Sequence, residues 1–147
     1  MSHVRQQIRE QIVTLCTGLT TTGTRVYDTR LYNLDPADNL PGIVIYTQNE
    51  SSEKSTISPS TYERELEVII EGYAQANSNI EDTLDTISLE IENAIGADPL
   101  INGKAIDSEL TSTEIEFTSM GEAPIGLLRL TYRVIYMTLA TDASTPQ

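Results

Sequence analysis

One cysteine, one histidine and nine Lys and Arg are spread through 147 residues, and each shortage closes off a class of function. Cys16 alone forms no internal disulfide and by itself builds no zinc site, a usage that fits a reducing compartment. The nine cations face 22 Asp and Glu, for a formal net charge of -13. They are too few and too scattered to make the clustered basic surface that grips phosphate. The longest apolar runs are a few residues, as in Gly42-Ile43-Val44-Ile45-Tyr46, far below the roughly 20 that span a bilayer. The N-terminal Met-Ser-His-Val-Arg-Gln-Gln-Ile-Arg-Glu is amphipathic and lacks the apolar stretch of a signal peptide. The expectation is a cytoplasmic protein without a membrane segment.

What is present is the composition of one globular domain, with 39% hydrophobic and 21% charged residues. Residues 1–140 are expected to form it, and the small polar residues 141–147 a flexible C-terminal tail. Val4, Ile8, Ile12, Leu15 and Leu19 recur at spacings of three and four, which predicts an amphipathic helix over 3–17 with Ser2 as N-cap and Gly18 as stop. Ile80, Leu84, Ile87, Ile91 and Ile95 form a second stripe. Ser78 and Glu81 read as a capping box, and Gly96 and Pro99 as the end. Strand character lies in 25–31, 42–48, 62–74, 110–118 and 125–139. In 62–74, Leu66, Val68 and Ile70 alternate with Glu65, Glu67 and Ile69, the period of a half-buried strand. The short link 119–124 predicts a hairpin between the last two strands. The expected class is α/β (α+β): two helices and a sheet that is at least partly antiparallel, in the order α-β-β-β-α-β-β.

Two segments stand out. A final strand over 127–139 would span roughly 43 Å, against a radius of gyration of about 15 Å for a compact chain of this length, so its end is expected to bend or to meet a neighbouring subunit. Residues 48–60 carry loop chemistry between two strands, a length characteristic of functional or disordered loops.

Motifs for catalysis or ligand binding are weak. Gly18 and Gly23 have phosphate-loop spacing, but no lysine follows, and a helix rather than a strand precedes them; a helix-to-strand turn explains the pair. His3 lies at the terminus and Cys16 beside an apolar stripe, where packing is the ordinary role of a lone cysteine. Asp35 and Asp38 lack the oxygen spacing of a calcium loop. Asp82 and Asp85 lie in the first turns of a helix, where the dipole favours acids. Asn49-Glu50-Ser51 matches a glycosylation acceptor but lacks a secretory context. The reading is of a protein with no catalytic residues, metal ligands or cofactor, and no enzyme activity.

Charge placement is more specific. Residues 1–30 are net +2, whereas 63–122 hold 15 acids and two bases. One parity of the third strand carries Glu63, Glu65, Glu67 and Glu71, and one parity of the last carries Arg129 and Arg133. If these strands are neighbours, the arginines cross-pair with the glutamates. With Glu114 and Glu116 added, a surplus of negative charge is left to face solvent, a partner or a shared interior.

An N-terminal amphipathic helix precedes Thr22-Gly23-Thr24-Arg25-Val26-Tyr27. Leu40-Pro41-Gly42-Ile43-Val44-Ile45-Tyr46-Thr47 and a polar loop follow, then Arg64-Glu65-Leu66-Glu67-Val68-Ile69-Ile70-Glu71-Gly72-Tyr73, a helix and a final hairpin. This succession, over residues 1 to about 140, resembles the tail terminator proteins of tailed bacteriophages, a family similar to the minor tail protein U of lambdoid phages. The resemblance implies an α/β fold with two helices packed on a mostly antiparallel sheet, and a structural protein of the virion, assembled in the host cytoplasm, that forms a hexameric ring on the head-proximal end of the tail tube. Such a ring stops tube polymerisation and offers a surface to the neck or head-completion protein, while DNA passes through its bore without specific binding. It also implies an assembly role for the polar loop, here Glu50, Ser51, Ser52, Glu53, Lys54, Ser55 and Thr56. Glu63, Glu65, Glu67, Glu71, Glu114, Glu116, Arg129 and Arg133 become candidates for the charged sheet surface, part of it lining the bore. The runner-up is another neck or tail protein, a head-tail completion protein or a tube subunit.

Overall fold

The computed structural model describes residues 2–28, 41–75, 79–120 and 123–147, the side chains of 118–120 and 123–124 excepted. Helix α1 spans Val4–Cys16 and buries Val4, Ile8, Ile12 and Cys16, one residue per turn on a single stripe. His3, rather than Ser2, caps it: the His3 imidazole Nδ1 accepts the Arg5 N–H at 3.0 Å. The His3 carbonyl accepts the first intrahelical bond, from Gln7 N–H, and also the N–H of Gln6, so one residue satisfies two of the helix's orphan donors, those of Arg5 and Gln6. Gly18, with φ +89, turns the chain out of the helix. Gly18 and Gly23 then close a small loop by backbone hydrogen bonds, Gly18 N–H to the Gly23 carbonyl at 2.8 Å and Gly23 N–H to the Leu19 carbonyl at 2.7 Å. They form the turn expected, between helix and strand.

Helix α2, Ile80–Gly96, buries Leu84, Ile87, Ile91 and Ile95 and places Glu81 and Asp82 in its first turn. Asn79 is its N-cap residue, with no side-chain capping bond; Ser78, expected as the cap, lies outside the described residues, as do Asp35 and Asp38.

The strands are β1 (Val26–Tyr27), β2 (Gly42–Ile57), β3 (Ser60–Gln75), β4 (Asp107–Met120), β5 (Ala123–Leu139) and β6 (Asp142–Pro146). They make one sheet in the order β1-β2-β3-β5-β4, with β6 on β5. Among the described residues, only the β1–β2 pairing is parallel. The class is therefore α+β, with two helices among the described residues and a mostly antiparallel sheet. The expected strand over 25–31 is described only as Val26–Tyr27, since 29–31 fall outside the described residues.

Three expectations are corrected. The polar segment 48–60 is not a loop: β2 continues through Ile57, turns at Ser58 and Pro59, and pairs with β3 down to Ile57–Ser60. The 141–147 segment, expected as a flexible tail, contributes β6. As a result the end of β5, expected to bend or meet a neighbour, is paired inside its own chain, with β3 on one side and β6 on the other. In each case the backbone groups of a neighbouring strand offer partners that local composition does not announce.

The core lies between the helices and one sheet face: Ile43 and Ile45 from β2, Leu66, Val68 and Ile70 from β3, and Leu128, Leu130, Tyr132, Val134 and Tyr136 from β5. Helix α2 sits so near the sheet that two strand positions are glycine. A Cβ at Gly72 would lie 2.9 Å from Cγ2 of Ile87, and one at Gly126 2.8 Å from Cγ1 of Ile80. Arg64 and Glu50 share the helix-side face with the core residues, at the end of the sheet where α1 begins.

Candidate assembly surfaces

Glu50 is the meeting point of three elements. A shift in register after Thr47 brings it opposite Leu66, on the helix side. Its carboxylate accepts from Arg5 Nη1 at 2.6 Å and Arg64 Nη1 at 3.4 Å, and from the Tyr136 hydroxyl. With only 11% of its side chain exposed, Glu50, the first of the residues to which the resemblance gave an assembly role, ties α1 to β3 and β5. Burial, then the hydrogen bond to Glu50, raises the Tyr136 hydroxyl above its ordinary pKa. His3 nearby is held below the usual imidazole value by burial and by Arg5 and Arg64, which favours the neutral ring that its capping bond requires.

The remaining residues of the expected loop, Ser51 to Thr56, are strand residues of β2, each exposed. Ser52 and Lys54 lie opposite Arg64 and Tyr62 on the helix side. Ser51 and Glu53 lie opposite Glu65 and Glu63 on the other face.

That other face carries the charges read from the sequence. Glu63, Glu65, Glu67 and Glu71 pair in register with Met137, Ile135, Arg133 and Arg129 of β5, and Glu114 and Glu116 with Arg129 and Leu127. Arg129 joins three carboxylates: Nε to Glu71 at 3.0 Å, Nη1 to Glu114 at 3.0 Å and to Glu116 at 3.7 Å. Burial opposes the Arg129 charge, but hydrogen bonding and attraction from Glu71, with help from Glu114, outweigh it and raise its pKa. Glu71 is 1% exposed and also accepts from the Tyr73 hydroxyl at 3.0 Å. Arg133 reaches Glu65 at 4.0 Å and Glu109 more closely. Glu109, a partner that the sequence reading missed, becomes visible only through the β4–β5 register. No ion pair links a cation to Glu53, Glu63 or Glu67 among the described residues. Glu53 and Glu63, directly opposite each other, are a repelling cross-strand pair.

A groove of about 510 Å³ crosses this face, lined among others by Ser51, Glu65, Glu67, Glu114 and Arg133. It brings together carboxylates, hydroxyls and a guanidinium. Cys16 is buried on the helix side, its thiol pushed up to about 12 by burial, and it lies apart from His3 at the opposite end of α1. Asp82 and Asp85 are exposed on α2.

Among the described residues the charged side chains thus gather on strand surfaces, with Arg129 and Arg133 at their centre. The family profile of phage minor tail protein U matches residues 3–136, and the chain belongs to that family. It is a phage tail structural protein and a component of the virion. A chain of the solved structure titled "Virion of native gene transfer agent (GTA) particle" is similar over 90% of each chain, at 17% identity and a TM-score of 0.48. No curated protein matches the sequence.

Proposed function

We propose that this tail protein is the tail terminator: a ring, hexameric by the resemblance drawn from the sequence, that caps the head-proximal end of the tail tube. There it stops tube growth and receives the neck or head-completion protein. The observation that carries this reading is the sheet face turned away from the helices. Its glutamates on β3 and β4 outnumber the two arginines of β5. Repeated around a ring axis, that surplus repels phosphate and lets DNA slide through without binding. In this role Glu63, Glu65, Glu67, Glu114 and Glu116 line the bore, with Arg129 and Arg133 fixing the carboxylates beside them. Glu71, being buried, holds Arg129 in place. The exposed part of the β2–β3 hairpin, Ser51 to Thr56, contacts assembly partners.

The test is addition of the purified protein to growing tail tubes. A terminator halts elongation at substoichiometric amounts and appears as a six-fold ring at one tube end in negative-stain images. Co-polymerisation along the tube would identify a tube subunit, and binding to the portal end of heads alone would identify a completion protein.

A further inference from the structure

Both borders of the sheet extend beyond the helical layer. On β4, nine consecutive residues, 109–117, are exposed, and on β2 seven, 51–57. Consecutive exposure means that neither face of these stretches is covered. Among the described residues the outer strands shield little: β1 pairs with Ile43 and Val44 of β2, and β6 with Thr138 and Leu139 of β5. Long edges with unpaired N–H and C=O groups recruit further strands, and isolated chains blunt them. On β4, however, Leu110, Ile115 and Phe117 make a helix-side apolar row, 36%, 46% and 53% exposed.

We propose that the outer edge of β4 in one copy pairs antiparallel with the outer edge of β2 in the next, so that the sheet continues from subunit to subunit. This deepens the ring reading and rests on it. Three observations specify a second copy, joined head to tail. First, β2, β3, β5 and β4 alternate in direction. An even number of alternating strands tiles without breaking the alternation: β4 runs opposite to the β2 that would follow it. Second, the two borders lie on opposite sides of one sheet, the arrangement of a heterologous contact that closes into a ring. A β4–β4 contact would stop at two copies and leave β2 bare. Third, the helices complement each other. Helix α1 packs on β2, so a joined copy brings its α1 beside the preceding copy's α2, across the apolar row of β4. Helix α1 carries Arg5 and Arg9 against Glu10, whereas α2 carries Glu81, Asp82, Asp85, Glu90 and Glu92 and no base. A net-positive helix thus meets a net-negative one, and the helical layer is extended over the apolar row.

The experiment uses full-length chains with Cys16→Ala and one new exposed cysteine each: Ser51, Ser52 or Ser55 in one pool, Ser112 or Thr113 in the other. Under assembly conditions with tail tubes, mild oxidation is expected to cross-link β2-pool chains to β4-pool chains. Chains carrying both cysteines are expected to give a ladder ending in a closed ring. Asp82→Lys with Asp85→Lys should weaken self-association about tenfold, and the effect should shrink at high salt. Rings that form without any β2–β4 cross-link, or that cross-link only β4 to β4, overturn the edge pairing while leaving the ring intact. A chain that stays monomeric with tubes present overturns the ring reading and this proposal together.

Discussion

Arg129 and Glu71 face each other across β5 and β3, with Nε 3.0 Å from Oε2, on the sheet face opposite the helices. The carboxylate is almost wholly buried and the guanidinium 26% exposed, so the two ends of the pair are unequal: removing the arginine leaves a buried, uncompensated charge.

Arg129→Ala is therefore expected to destabilise the fold by about 2–3 kcal/mol, less than the roughly 3–5 kcal/mol for breaking a fully buried pair because Arg129 is partly hydrated. Replacing both partners, Arg129→Met with Glu71→Leu, should cost less than the single change. Urea unfolding of the three variants checks this. A single-variant loss within error of zero would mean that Glu71 finds other compensation.

Stability is expected to fall in alkali. The Cys16 thiol is raised by burial from 9.0 to about 12, so the native state keeps its proton where the unfolded chain has lost it. The stabilisation is complete below pH 9 and declines toward pH 12, by up to about 1.4 kcal/mol per pH unit. Cys16→Ala should flatten the slope between pH 9 and 10 in chemical denaturation. Tyr132 and Tyr136, raised from 10.0 in the same sense by burial, keep a slope above that.

Much of this was legible in the sequence, and for physical reasons. Ile80, Leu84, Ile87, Ile91 and Ile95 announce α2 because a helix buried on one face must repeat its apolar residues. Leu66, Val68 and Ile70 announce β3 because a half-buried strand must alternate. The same alternation placed Glu63, Glu65, Glu67 and Glu71 together on the other face. Residues 51–57 were not legible as strand, since Ser, Glu, Lys and Thr exposed on both faces carry no burial pattern; only β3 beside them decides their conformation. The ion pairs of Glu50 were not legible because its turn toward the core depends on a register shift, and Glu109 was missed because its partner is set by the β4–β5 pairing.

The contact between α2 and the sheet gives a third expectation. Gly126→Ala would bring a Cβ within 2.9 Å of both Cγ1 and Cδ1 of Ile80, and overpacking of this kind costs about 1–3 kcal/mol. Adding Ile80→Ala should recover part of the loss, because it removes the atoms that clash. Thermal melts of the single and double variants decide; equal melting temperatures would mean that α2 shifts freely.

If the open sheet face lines a bore, reversing its charge should turn a sliding surface into a binding one. Rings carrying Glu63→Lys and Glu65→Lys are expected to retain duplex DNA at low salt and release it as salt rises, with log affinity falling by roughly 0.9 per phosphate neutralised. Electrophoretic mobility of DNA with variant and parent rings reads this directly. Variant rings that leave DNA untouched would place these glutamates on the outer wall.

The pairing of β3 with β5, fifteen positions in unbroken register from Thr61–Leu139 to Gln75–Ile125, has a mechanical consequence. A pull along the strands must shear all the hydrogen bonds between them together, whereas a pull across them opens the bonds one at a time. The subunit is therefore stiffest along its strands, and a particle that orients them with the direction of load sets its strongest clamp against that load.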